Sequence, residues 1–122
     1  MNKREQGAVF ENYAAEFLSE KGYTLLTMNY FTKYGEIDLI MKKEETIVFI
    51  EVKQRTTDIF GRGEYAIDYK KKRKIYFTAR EFISKNRYFN HDIRFDAIIF
   101  NGKGKTPCNW IKNIIWGDEI GI

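Results

Sequence analysis

A mixed α/β fold, with a β-sheet of about five strands and helices packed on it in the order helix, three strands, helix, two strands, is predicted by three observations. Apolar residues in the first twenty positions recur at helical spacing. Those between 35 and 55 alternate at strand spacing. A second helical period after Asp68 then separates them from two late β-prone runs. At 122 residues the chain is the size of one domain, spanning 1–122, with little room for a separate regulatory module.

The elements follow in order. From Arg4 to Lys21, Val9, Tyr13 and Phe17, and Phe10, Ala14, Phe17 and Leu18, return every three or four residues, and Gly22 is placed to stop that helix. Tyr23 to Phe31 is β-prone. "GEIDLIMKKEETIVFIEVKQR", Gly35 to Arg55, then reads as two strands joined by a charged turn. Thr56 to Tyr65, with Gly61 and Gly63, is expected to be a loop. Asp68 is an N-cap for a helix running to about Lys85, with Ile67, Ile75, Ala79, Phe82 and Ile83 facing inward. Ile93 to Phe100 and Cys108 to Trp116 are the two late strands.

Composition narrows the function. Hydrophobic residues at 43% and charged residues at 31% exclude disorder and a membrane-spanning class, and no apolar run approaches the ~20 residues a transmembrane helix needs. The opening "MNKREQ" leads into a charged amphipathic pattern rather than a secretory segment, so the expected location is the cytoplasm, with no membrane. Cys108 has no cysteine to pair with inside the chain. With the lone His91 it leaves nothing for a zinc site of His and Cys, so any metal has to be held by oxygen. Twenty-one Lys and Arg against seventeen Asp and Glu give a net charge of +4, which suits a polyanion.

The charged hairpin is the informative feature. With a turn at Glu44 and Glu45, or at Lys43 to Thr46, facing positions sum to 89, which sets Asp38 opposite Glu51 and Glu36 opposite Lys53. Alternation places Asp38, Ile40, Phe49, Glu51 and Lys53 on one face, and Ile37, Leu39, Met41, Val48, Ile50 and Val52 on the other. One face is wholly apolar. The second changes from apolar to charged halfway along, so its charged half belongs at an opening in the sheet. Two carboxylates roughly 5 Å apart repel by about 3 kcal/mol at an effective dielectric near 20, so a compensating charge is needed. Lys53 with Arg55 supplies it if the cluster is a structural ion network. A divalent cation between Asp38 and Glu51 supplies it if the cluster is a metal site. Mg2+ is typically held by one or two protein carboxylates plus waters and phosphate, and Lys53 on the same face would assist at the attacked phosphate.

This arrangement, Asp38 followed on the next strand by Glu51-Val52-Lys53, resembles the metal site of the PD-(D/E)xK nuclease superfamily. The closer resemblance is to the YraN-like proteins (uncharacterised protein family 0102), small bacterial proteins regarded as endonucleases and similar to archaeal Holliday junction resolvases. It is carried by "ENYAAEFLSEKGYTLLTMNY", "YGEIDLI", "VFIEVKQR", "AIDYKKKRK" and "RFDAIIF" in the family's order and spacing. The resemblance implies a restriction-endonuclease-like fold and an Mg2+- or Mn2+-dependent deoxyribonuclease. It puts Asp38 and Glu51 on the metal ligands, Lys53 on the catalytic lysine and Glu11 on a first-helix glutamate within reach of the metal. Glu36 would orient Lys53 or a second ion, and Lys71 matches a basic position pointed at the sheet. Two departures stand out: Phe10 replaces the glycine often found before the helix glutamate, and "AIDYKKK" lacks the proline common at that helix start.

Other features are weighed against simpler roles. Lys70, Lys71, Lys72, Arg73 and Lys74 form a basic run within a helical period, expected to be a solvated face unless it contacts phosphate, with Arg62 of the glycine-bearing loop a softer candidate for that contact. Asp96 is expected to pair with Arg94 or Arg55, His91 to lie at the surface in a turn, and Cys108 to be a small buried hydrophobe. Aromatics at helical spacing are core more often than stacking platform. The expected function is metal-dependent hydrolysis of phosphodiester bonds in branched or otherwise structured DNA. The alternative is a non-catalytic nucleic-acid-binding module of the same fold. Cutting both strands symmetrically requires a homodimer or two encounters.

Overall fold

The structure is a computed structural model that describes residues 2–55, 68–102, 104–107 and 109–115. The expected order of elements is present: α1 (Lys3–Ser19), β1 (Thr24–Thr32), β2 (Gly35–Lys43), β3 (Thr46–Arg55), α2 (Tyr69–Asn86), β4 (Asp92–Asn101) and β5 (Asn109–Ile111). The loop expected from Thr56 to Tyr65, Arg62 within it, and Ile67, Cys108 and Trp116 lie outside the described residues.

Local chemistry explains the boundaries. Asn2 caps α1 by accepting from the Glu5 amide at 2.9 Å, and the chain leaves the helix through Gly22 at φ 93°. Asp68 caps α2 as expected, accepting from the Lys71 amide at 2.8 Å. The β2–β3 turn is the two-residue form, Glu44 and Glu45, with Glu44 at φ 53°.

The five strands lie in the order β1-β2-β3-β4-β5, antiparallel except for the parallel pair β3 and β4. That parallel pair is what α2 makes possible, since a parallel neighbour needs a crossover connection. Each sheet face then has its own core. On the α1 face, Phe10, Ala14, Ala15 and Leu18 pack on Leu39, Met41, Val48 and Ile50. On the α2 face, Ile75, Ala79 and Phe82 pack on Ile40, Ile47, Phe49 and Phe95. Burying each such Leu, Ile or Phe contributes about 1.5–3 kcal/mol, so the α1 and α2 layers together clamp the hairpin from both sides.

Two expectations are corrected. Ile37 packs on the α2 face with Ile40, not with Leu39 and Met41: it lies beyond the last β2–β3 pair, Leu39 with Ile50, and opposite Tyr30, which packs on the same face. The last strand is shorter than 108–116. After Ile111 the backbone turns at Asn113 (φ 59°), and Ile114 and Ile115 pack on the α2 face, whereas Trp110 packs on the α1 face. Buried Asp96 holds this crossing by accepting from Trp110 Nε1 at 2.9 Å and from the Asn113 amide at 3.2 Å. Its ion partner is Arg94, as expected, with Nη2 at 3.0 Å.

Candidate metal centre

The site is an opening between β2 and β3. From Lys43 opposite Thr46 to Leu39 opposite Ile50, every pair sums to 89, the expected register. Beyond that the two strands part. β2 stays paired with β1 (Ile37 with Tyr30, Glu36 with Phe31), while β3 stays paired with β4 (Glu51 with Ala97, Lys53 with Ile99). Asp38 and Glu51 therefore stand at the apex of a V rather than as ladder partners, and Glu36 and Lys53 lie on its separate arms instead of facing each other. The Val52 amide donates to Asp38 Oδ2 at 2.8 Å, so a side chain holds the fork where the ladder stops.

Asp38 also interrupts the pairing on its other side. The β1–β2 register runs Met28 with Leu39 and Tyr30 with Ile37, which puts Asn29 across from Asp38, and Asn29 has left-handed backbone at φ 53°. Asn is among the few residues that adopt this conformation readily. The Asn29 side chain lines the same cleft as Glu11, and the Glu11 and Asp38 carboxylates act on each other electrostatically. Glu11 thus reaches the fork from α1, at the position the family resemblance implies. Sequence reasoning missed Asn29. Its signal is a lone Asn inside a β-prone run.

The electrostatics follow from crowding. Burial, then the Glu51 charge, pushes the Asp38 carboxyl up to about 7, with Glu11 and Glu36 adding to this and the Val52 amide opposing it. Glu11 is raised as well, first by burial and then by Glu36 and Glu51, against the hydrogen bonds from Asn29 and Asp38. Four carboxylates therefore converge where regular pairing ends.

The compensating cation differs from the expected one. Lys71, in the first turn of α2, places Nζ 3.0 Å from Glu51 Oε2, whereas Lys53 is exposed and makes no ion pair with a described residue. Burial lowers the Lys71 pKa, but the Glu51 charge and hydrogen bond, with Asp38 and Asp68, outweigh it and leave the ammonium above its ordinary value. The reason is geometric: once the strands part, Lys53 follows the β3 arm outward, while the Asp68 cap brings the third residue of α2 down onto Glu51. Lys70 and Lys74 are exposed and Arg73 is half-buried on the same helix. Arg55 is half-buried at the end of β3, its carbonyl accepting from the Gly102 amide at 2.7 Å.

Two clefts flank the fork, with Glu11 in both. One, of about 590 Å³, is bordered by Arg4, Asn29, Phe31 and Glu36, and the other, of about 400 Å³, by Gln6, Val52 and Lys53. Phe31 is 74% exposed directly across from Glu36. Among the described residues, no group of three or more His, Cys, Asp or Glu side chains is placed to hold a metal ion. An open pair of carboxylates fits an ion that keeps its waters, and the crowding that lifts Asp38 is the stress a divalent cation would relieve. His91, expected at the surface, is half-buried, with its ring edge-on to Tyr88 and Nε2 3.5 Å from Glu45.

Residues 10–100 match the model of Uncharacterised protein family UPF0102. The chain belongs to that family. Relatives include a UPF0102 protein of Fusobacterium nucleatum, 44% identical over 122 residues and covering all of both chains. Another, from Vibrio parahaemolyticus, is 43% identical over 115 residues, covering 93% of this chain and 94% of its own. A third, from a Sulfurihydrogenibium species, is 45% identical over 102 residues, covering 84% and 89%. The span matched to the UPF0102 model contains Glu11, Glu36, Asp38, Glu51, Lys53 and the whole of α2, so every acid at the fork belongs to the family's common region. Among the described residues, no helix is long and apolar enough to cross a membrane.

Proposed function

We propose that this UPF0102 protein is an Mg2+- or Mn2+-dependent nuclease that hydrolyses phosphodiester bonds in DNA, acting as an endonuclease on branched or otherwise structured substrates. The observation that carries the reading is the fork: Asp38 and Glu51 stand where β2 and β3 part, with the Glu11 charge acting on Asp38 and Lys71 at 3.0 Å from Glu51. Asp38 and Glu51 would hold the ion, and Glu11, whose charge already acts on Asp38, would act on the ion through water. When bound, the ion supplies Lewis-acid charge at the attacked phosphoryl group.

The chain's own side chains do the rest. Lys53, exposed on the β3 arm, is free to approach a phosphate oxygen entering the V. Lys71 brings a second positive charge from α2. Lys70, Arg73 and Lys74 extend that charge along the helix and grip the backbone without reading sequence. Lys71 thus joins Lys53 as a candidate for stabilising charge on the transferred group.

The Lys71–Glu51 pair also favours a second reading, a nucleic-acid-binding module without turnover, because it already neutralises part of the cluster in the absence of metal. Two measurements separate them: Mn2+ titration by calorimetry, and cleavage of duplex, single-stranded, flap and four-way-junction DNA. The nuclease reading expects Mn2+ binding and metal-dependent cleavage that Asp38→Asn, Glu51→Gln and Lys53→Met each reduce by about 100-fold or more. DNA binding with no Mn2+ binding, and no cleavage of any substrate, establishes the module instead.

A further inference from the structure

We propose that a column of alternating rings and cations on α2 and the β1–β2 turn is a stacking site for the bases of an unpaired DNA strand. This rests on the nucleic-acid substrate inferred above and goes further by naming the substrate feature recognised. Tyr69, Arg73 and Phe77 recur every four residues on α2 and so lie along one helix face, spanning about 12 Å. The Arg73 guanidinium sits 5.8 Å from the Tyr69 ring centre and 5.2 Å from that of Phe77. Phe77 lies 5.6 Å from Tyr34, the two rings inclined by 35°, and the Lys33 ammonium stands 5.2 Å from the Tyr34 ring centre. The order along the column is ring, cation, ring, ring, cation.

Exposure and anchoring distinguish this column from core. Tyr69 is 53% exposed and Tyr34 40% exposed, although burying such rings would be favourable. The turn that carries Tyr34 is nonetheless held firmly. Thr32 Oγ1 accepts from the Tyr34 amide at 3.0 Å and lies 3.2 Å from buried Thr78 Oγ1 on α2. Gly35 takes φ 150°, a backbone conformation that L side chains rarely adopt, and packs the turn at ordinary contact distance from Lys74 and Thr78 of α2. Tyr34 is therefore presented to solvent from an anchored turn, which lowers the ordering cost of stacking a ligand on it.

Charge selects the occupant. Beside Tyr34 and Phe77 opens a cleft of about 490 Å³ that also contains Lys33, Arg80 and Glu81, and Lys85 pairs with that single acid at 3.0 Å. An acidic polymer with flat apolar groups matches this surface: its bases stack on the rings while its phosphates meet the cations. Duplex DNA does not, since its bases are already stacked. Both ends of the column adjoin, in the chain, elements that carry fork residues. Tyr69 lies two residues before Lys71, and Tyr34 immediately precedes the strand that carries Asp38.

The test is fluorescence anisotropy in EDTA with an oligonucleotide of about 12 nucleotides, single-stranded or annealed to its complement, on the full chain. Tyr34→Ala and Tyr69→Ala are each expected to weaken single-strand binding by about 5- to 100-fold while changing duplex binding by less than about twofold, and Tyr34→Phe to retain both. Equal losses on the two substrates, or no loss on either, overturn the proposal. Cleavage assays on the same preparations keep the two proposals apart. Column-dependent binding without cleavage overturns only the nuclease reading. Metal-dependent cleavage with single-strand binding indifferent to Tyr34 and Tyr69 overturns only the column.

Discussion

Asp38 concentrates the chemistry of the fork into one titration. Its carboxyl is lifted from the ordinary 3.8 to about 7, chiefly by burial and by Glu51. Between those values the folded chain holds the proton that the unfolded chain has released. The resulting stability is fully present below about pH 4 and is lost as pH rises through about 7. Binding of a divalent cation at the proposed site would have the opposite dependence, because the bound form needs the carboxylate. Asp38→Asn preserves an acceptor for the Val52 amide and removes the buried charge. In EDTA at pH 8 it is expected to stabilise the protein by on the order of 2 kcal/mol, with little difference from the parent at pH 4. Urea denaturation of both proteins at the two pH values measures this. A variant less stable than the parent at pH 8 would show that the charged carboxylate is stabilising there.

The strands and helices around the fork depend on a few polar contacts at their ends. Asp96 ties Arg94, Trp110 and the Asn113 amide together in a fully buried position, adding a side-chain anchor to the β4–β5 ladder and to the Ile114 amide's bond to the Phe95 carbonyl. Asp96→Ala leaves the Arg94 guanidinium, one-fifth exposed, without its partner and is expected to cost about 3–5 kcal/mol, read by chemical denaturation with Trp110 fluorescence as the local probe. At the other end of the sheet, α2 closes with Arg87 in left-handed backbone at φ 57°, its amide and that of Tyr88 capping the Ser84 and Ile83 carbonyls. Glycine adopts that conformation without steric cost. Arg87→Gly is expected to be neutral or to raise stability by up to about 1 kcal/mol in a thermal melt. A lower melting temperature would mean that the Arg87 side chain contributes more than its backbone strain costs.

For the molecule as a whole, the net charge of +4 matters less than its placement. Acidic side chains gather at the fork, while Lys70, Lys71, Arg73 and Lys74 line the adjacent helix, and under the proposed function α2 would attract the polyanion while a cation would be needed to bring its phosphate to the acids. If four phosphates meet these four side chains, log K for DNA falls with log salt at a slope of about −4, and Lys70→Ala with Lys74→Ala brings it to about −2. A filter-binding series across salt concentrations measures it. An unchanged slope in the double variant would place the phosphates elsewhere.

Periodicity and residue type are local, and they carried much of this protein in plain view. The helix and strand order, the Asp68 cap, the hairpin register summing to 89, the Asp96–Arg94 pair and the approach of Lys71 to the sheet were all legible in the sequence. What was not legible depends on competition between distant partners. Local alternation extends a ladder indefinitely. Only the packed sheet, with β1 holding one strand and β4 the other, shows the pair parting after Leu39 and Ile50, turning Ile37 over and swinging Lys53 outward. The charge that answers Glu51 therefore comes from α2, twenty residues along the chain, because burial makes the nearest cation in space, not in sequence, the effective one.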